Sequence, residues 1–389
     1  MNTKRMFLSL LVLLLLVGGL WWWLGRNKSL IDYIPARSKA VVRLSVEAQR
    51  SSELLSRVSV LTHLPINSAD VEGASYFFVT PNEYFGFIAD IRSEAARDAS
   101  WNAIAFDEAD GVRWLWSDAG WLGALQGSRL MILGPGTVAE RERLRHTLQV
   151  MMDAAADEGF GHSAKADVLQ ADAPASFYTS ASVMPAPYGT LLRLALPESA
   201  KEIAGVVTTS SAQTQITGSM WREGMTWGEV SVPTPELPFT SPQLLHARLH
   251  LSGSAFLKRL RSDGSMRMWL TALSDSSTQT HTIATMRDGL RLTIAQIDTT
   301  AGAQYCIEGV GENSLPLKVK SAHFEGETSV GLPAQKDYPT SVLINLSALR
   351  AMSMPEGLRQ LVNLLLPQAG HVYIQTNERG DFVVRFLDQ

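Results

Sequence analysis

His246 and His250 lie four residues apart with Arg248 between them, in the run Leu245-His-Ala-Arg-Leu-His-Leu251. The alternation reads as a strand, which puts both imidazoles and the guanidinium on one face. At strand rise the two histidines are roughly 13 Å apart, too far to share a metal, and Arg248 would repel one. A solvated sheet face opposite Leu245, Ala247, Leu249 and Leu251 accounts for the pattern. Asp107, Glu108 and Asp110 precede Gly111 between two apolar runs. Such carboxylates can hold calcium, yet Asp-Gly is also a strong tight-turn signal, and a hairpin explains the composition without an ion. Arg379-Gly380-Asp381 is read the same way, as a turn at the tip of the last hairpin.

Four tryptophans, Trp101, Trp114, Trp116 and Trp121, crowd a short stretch. Trp114 and Trp116 are two apart and share one strand face. Indoles carry large apolar area and pack cores. The sharper alternative is an aromatic shelf, with Trp114, Trp116 and Trp121 as the candidate surface for an apolar ligand, a glycan or a partner protein. Signatures of catalysis are absent: no Gly-x-Ser-x-Gly, no His-Glu-x-x-His, no Cys-x-x-Cys and no Gly-Lys dipeptide. No cofactor or metal is expected, and the chain reads as a non-enzyme.

The elements that must position these residues begin with an apolar run from Met6 to Leu24. At about 1.5 Å per residue it is long enough, as a helix, for a hydrocarbon core of roughly 30 Å. Leu8, Leu11, Leu14, Val17 and the belt Trp21, Trp22, Trp23 are its expected anchor residues. Bulky residues follow Gly18-Gly19 where a signal peptidase would need small ones, so the helix is expected to be retained. Lys4 and Arg5 favour an inside N-terminus. The expectation is a single-pass inner-membrane protein attached through residues 6–24, with the bulk of the chain on the periplasmic side.

Of the 34 Lys and Arg, four lie in residues 1–28, which leaves 30 against 38 Asp and Glu in the rest. That acidity argues against nucleic acid as a partner. Cys306 is the single cysteine, so no intramolecular disulfide forms.

A duplicated pattern organises the chain beyond the apolar run. Pro35 to Ser45, Pro242 to Ser252 and Pro339 to Ser347 each read as an entry, a strand and a Ser able to cap a helix. A weaker copy begins at Pro174. Hairpins come after these units: Ile203–Thr209 with Gln213–Trp221, Thr278–Met286 with Leu290–Asp298, and His371–Thr376 with Phe382–Leu387. One longer helix is capped by Thr137 with Glu140 completing a capping box, and turns Leu144, Leu148, Met151 and Met152 inward. Four prolines in 233–242 mark a boundary. The expected organisation is an anchor at 1–28, a linker at 29–34, a first half at 35–232, a proline-rich linker at 233–241 and a second half at 242–389. The expected fold is α+β, an N-terminal transmembrane helix followed by repeated strand–helix–hairpin units in mostly antiparallel sheets with short helices on one face.

Asp32-Tyr33-Ile34-Pro35-Ala36 after an export-type segment, with the Ala40-Val-Val-Arg-Leu strand behind it, resembles the opening of a group of uncharacterised bacterial exported proteins. Gln126-Gly127-Ser-Arg-Leu-Met-Ile-Leu133 leading into a helix is similar to their later pattern. Many members carry a lipidated Cys where this chain has its apolar run. The resemblance implies an envelope location. The leading functional expectation is a non-enzymatic binding or scaffolding component that meets another envelope protein. The alternative is a carrier or sensor of an apolar ligand such as a lipid, which expects a closed apolar cavity above a few hundred Å3.

Overall fold

The computed structural model describes residues 28–51, 54–92, 99–170, 172–180, 195–197, 200–209, 214–222, 243–262, 276–298, 302–310, 317–326, 332, 336–351 and 370–387. The chain divides into two compact units, Met1–Gln170 and Ala171–Gln389. Each is built on an antiparallel sheet carrying helices, an α+β arrangement.

The strands of the first unit are β1 (Ala40–Leu44), β2 (Val71–Val79), β3 (Phe85–Ile91), β4 (Ala105–Ala109), β5 (Val112–Trp116), β6 (Leu122–Gln126) and β7 (Arg129–Gly134). They pair in the order β1-β2-β3-β7-β6-β5-β4, every neighbour antiparallel. Alternation sends Phe87, Ala89, Leu115, Leu125, Leu130 and Ile132 to one face, where Leu55, Leu64 and Trp101 meet them. Helix Arg141–Asp153 packs against β6 and β7, burying Leu144, Leu148 and Met151 as the 3.6-residue spacing predicts. Met152 is only half-buried. The capping box of Thr137 and Glu140 is present, and it opens a single 3-10 turn, Val138–Glu140, that leads into the helix. Between β4 and β5, Asp110 and Gly111 both have positive φ, 52° and 73°, the geometry a two-residue hairpin turn demands.

The second unit contains β8 (Ala175–Ser180), β9 (Glu202–Thr209), β10 (Thr214–Met220), β11 (Leu245–Leu249), β12 (Leu290–Asp298), β13 (Gly302–Gly309), β14 (Lys318–Lys320), β15 (Thr340–Asn345), β16 (His371–Thr376) and β17 (Phe382–Leu387). Their order is β8-β9-β10-β17-β16-β15-β11-β12-β13-β14, again antiparallel throughout. One face packs Leu245, Leu292, Ile307, Ile344, Ile374 and Phe382 against Phe256, Leu260, Ile283 and Leu346 from three helices, Gly253–Ser262, Ser277–Ala284 and Leu346–Ala351.

Several expectations are corrected. Among the described residues no helix is long and apolar enough to cross a membrane. The longest, Arg141–Asp153, has 13 residues, about 20 Å against a hydrocarbon core of roughly 30 Å. The expected transmembrane helix, single-pass inner-membrane topology with the bulk periplasmic, and attachment through residues 6–24 are therefore without support among the described residues. Leu8, Leu11, Leu14, Val17, Trp21, Trp22 and Trp23 lie outside the described residues.

The stretch expected as a strand at 278–286 is the helix Ser277–Ala284, with Ser276 Oγ accepting from the Gln279 amide. Its alternating threonines imitate a strand, while burial of Ile283 against the helix Gly253–Ser262 face selects the helical form. β12 pairs with β11 and β13 instead. Helix Leu346–Ala351 is capped by Asn345, whose Oδ1 accepts from the Ala348 amide at 2.9 Å, rather than by Ser347. The chain divides between Gln170 and Ala171, while the sequence expectation put a boundary at 233–241. The reason is pairing: β10 lies beside β17, so the β9–β10 hairpin belongs with the second sheet. Residues 233–241 are outside the described residues.

Candidate functional site: a cationic cavity on the second sheet

Strand alternation that buries Leu245, Ala247 and Leu249 in the core turns His246 and Arg248 to the opposite face. Register extends that face into two rows. The first runs Thr293, His246, Leu343, Tyr373, Arg385, and the second Arg291, Arg248, Ser341, Gln375, Val383. The face expected to be solvated is instead largely closed. His246 is 4 % exposed, Ser341 1 %, and Gln375, Tyr373 and Arg385 0 %. Leu332 packs with Leu343 and Tyr373, covering the middle of the first row. Arg385 donates through Nη1 to Gln375 Oε1, a charge-assisted bond that holds the buried guanidinium.

The closed region ends at Arg248 and Arg291. Arg248 is half-buried and Arg291 exposed. An open cavity of about 330 Å3 lies here, lined by Arg248, His250, Asp288, Val310, Lys336 and Pro339 and floored by Leu249 and Gly289. Gly289 has φ 129°, and a Cβ there would stand 3.0 Å from the Leu249 carbonyl oxygen. A smaller recess beside it is lined by His246, Arg248, Arg291, Thr293 and Leu332, so the Arg248 side chain is common to both. The rim is fixed by local bonds. The His250 amide donates to Thr340 Oγ1 at 3.0 Å, and its Nε2 lies 3.1 Å from Glu378 Oε1. The Val310 amide donates to the Gly289 carbonyl at 3.0 Å.

Burial pushes His246 down to about 4, so it is neutral near pH 7. Burial also lowers Arg248, and the like charge of Arg291 lowers it further. The Cys306 thiol is pushed up to about 11 by burial, helped by the charge of Glu308, which removes its nucleophilic form. Among the described residues no group of three or more His, Cys, Asp or Glu is placed to hold a metal ion. The cavity thus presents positive charge from Arg248 and Lys336 beside the apolar Val310 and Pro339.

The tryptophans expected to form a shelf are divided by the sheet. Trp121 is 8 % exposed and packs in the core with Leu115 and Trp101. Trp114, 2 % exposed, lies under the Arg145 guanidinium at 4.8 Å, while Arg145 also pairs with Asp107 at 2.6 Å. Trp116 is half-exposed. Trp114 and Trp116 share a strand face, and Trp121 does not join them as a surface. Asp381, expected as a turn residue, accepts from Ser219 Oγ at 2.6 Å and its amide donates to Asn377 Oδ1. Sequence reasoning singled out His246, Arg248 and His250 only to read them as a solvated sheet face, and named neither Arg291 nor Lys336 as a site residue. Alternation along β12 does turn Arg291 away from the core, but its neighbour across the ladder is Arg248, 43 positions earlier in the chain, and only the register reveals that.

No family model matches the chain, and no curated protein matches its sequence. Among solved structures, crystal form I of TP0453 is similar with a TM-score of 0.35 at 11% identity, over 54% of this chain and 82% of that one. Form III gives 0.33 at 11% over 52% and 82%, and form IV gives 0.32 at 9% over 50% and 81%. A likeness at these scores carries no argument about what the chain binds.

Proposed function

We propose that the protein is a non-enzymatic binding protein, a carrier or sensor that takes a lipid-like amphiphile at the open cavity of the second unit. One observation supports this reading: a cavity of about 330 Å3 sets Arg248 and Lys336 beside Val310 and Pro339. Ligand pockets run from roughly 300 to 1,000 Å3 and combine apolar wall with a few oriented polar groups. The closed apolar cavity expected of a purely apolar ligand is not what this one is. Its charged rim shifts the ligand toward a molecule with a polar head. A scaffolding role through the tryptophans is less favoured, because Trp114 and Trp121 are buried.

The test is native mass spectrometry of the full chain, stripped of co-purifying lipid and offered a series of amphiphiles. We expect a one-to-one adduct, with slowed amide exchange at His250 and Val310. Failure of every amphiphile to form an adduct overturns the reading.

A further inference from the structure

We propose that the edge of the cavity, where Arg248 borders Arg291 of the adjoining recess, is an oxyanion site in which the two arginines together grip a phosphate-type group of the ligand, with Lys336 adding the third positive charge. This rests on the proposed binding role and names the chemistry that would be recognised. Arg248 and Arg291 are direct cross-strand partners on adjacent strands and on the same face. At that position Cβ atoms stand roughly 4.5–5.5 Å apart, and like charges so placed repel. Burial makes the repulsion stronger on the Arg248 side, where the guanidinium has left part of its water.

The described surroundings do not relieve it. Among the described residues no carboxylate is paired with either arginine. Glu378 is committed to His250 at 3.1 Å. Asp288 is the one carboxylate among the cavity's lining residues, against Arg248 and Lys336 there and Arg291 next door. The balance stays positive. Arg248 lines both the cavity and the recess that Arg291 borders, so a phosphate group at that shared edge can accept N–H bonds from both guanidinium forks. Lys336 contributes as a point charge and needs no fixed geometry. A phosphate between the arginines turns a repulsive pair into a shared site. The buried Arg385, at the far end of the adjacent row on the same face, is held by Gln375 and takes no part.

The group has two possible sources, a lipid headgroup or free phosphate. The experiment separates them with the full chain and three probes: phosphatidic acid, diacylglycerol with the same acyl chains, and inorganic phosphate. Binding is measured for the wild type, R248Q and R291Q, with thermal melts to check folding. We expect phosphatidic acid to bind at least about tenfold more tightly than diacylglycerol, and each substitution to remove about tenfold or more of that affinity, the scale of a charge-assisted bond. If Arg248→Gln does not fold, Arg291→Gln decides, because Arg291 is exposed. Equal binding of the two lipids, or tight phosphatidic acid binding that survives both substitutions, overturns the oxyanion site and leaves the carrier reading standing. Binding of phosphate alone, lost in the variants, supports the oxyanion site and ends the lipid-carrier reading. Binding of none of the three probes overturns the oxyanion site and leaves the carrier reading to the wider amphiphile series.

Discussion

His246 is the residue whose environment differs most from its expected one. Set on a face read as solvated, it is 4 % exposed, with Thr293 Oγ1 3.4 Å from its Nδ1. Its pKa falls from the ordinary 6.5 to about 4 because burial penalises the imidazolium. Between those values the unfolded chain holds the extra proton and the folded chain does not. Stability therefore drops as the pH falls from about 6.5 to about 4 and flattens below. His371 is shifted in the same direction by the same cause. We expect urea melts at pH 7 and pH 4.5 to show the wild type losing roughly 2 kcal/mol more than H246Q, a figure discounted for residual water contact. Equal losses in the two proteins would show that the imidazole keeps its ordinary pKa in the fold.

At the scale of elements, the contact between helices Gly253–Ser262 and Ser277–Ala284 depends on one missing side chain. A Cβ on Gly253 would stand 1.7 Å from the Ile283 carbonyl oxygen and 2.6 Å from its carbon. Both are backbone atoms and cannot rotate aside. The Gly253 amide meanwhile donates to the Met286 carbonyl at 2.8 Å, which ties the helix start to the turn before β12. Gly253→Ala is expected to part the helices and cost about 2 kcal/mol, within the range for overpacking a tight contact. Ser254→Ala, next to it and exposed, is the control and should change stability by less than about 0.5 kcal/mol. Denaturant midpoints at unchanged slope read both values. The cavity lies beyond Gly289 at the other end of that turn, so a loosened helix start should also weaken ligand binding.

For the whole molecule, the decisive contact is the pairing of β10 with β17, Thr214 to Gly218 against Phe386 to Phe382. It places residues of the β9–β10 hairpin in one sheet with strands that start near residue 370. A fragment spanning 171–389 should therefore fold. A fragment spanning 242–389 lacks β10, leaves β17 as a bare edge and strips Ile203 from its core. Dispersed amide spectra and a cooperative urea transition are expected from the longer fragment only. A cooperative transition from 242–389 would restore the proline-rich boundary.

Much of the local structure was legible in the residues alone. The strands His371–Thr376 and Phe382–Leu387 have the bounds that alternation assigns, and the β9–β10 hairpin agrees to within a residue or so. The Asp110-Gly111 turn and the Thr137–Glu140 box also follow from side-chain chemistry acting within a few positions. Where local signals compete, they mislead. The threonines of 278–282 alternate like a strand, and a helix forms there because Ile283 finds a core to enter. The cavity was beyond reach for a related reason. Alternation states which face Arg248 and Arg291 occupy, but a strand's periodicity carries no address for its neighbour. Which strands pair, and in what register, is set by burial summed over the whole sheet, so only the tertiary structure brings those two charges together.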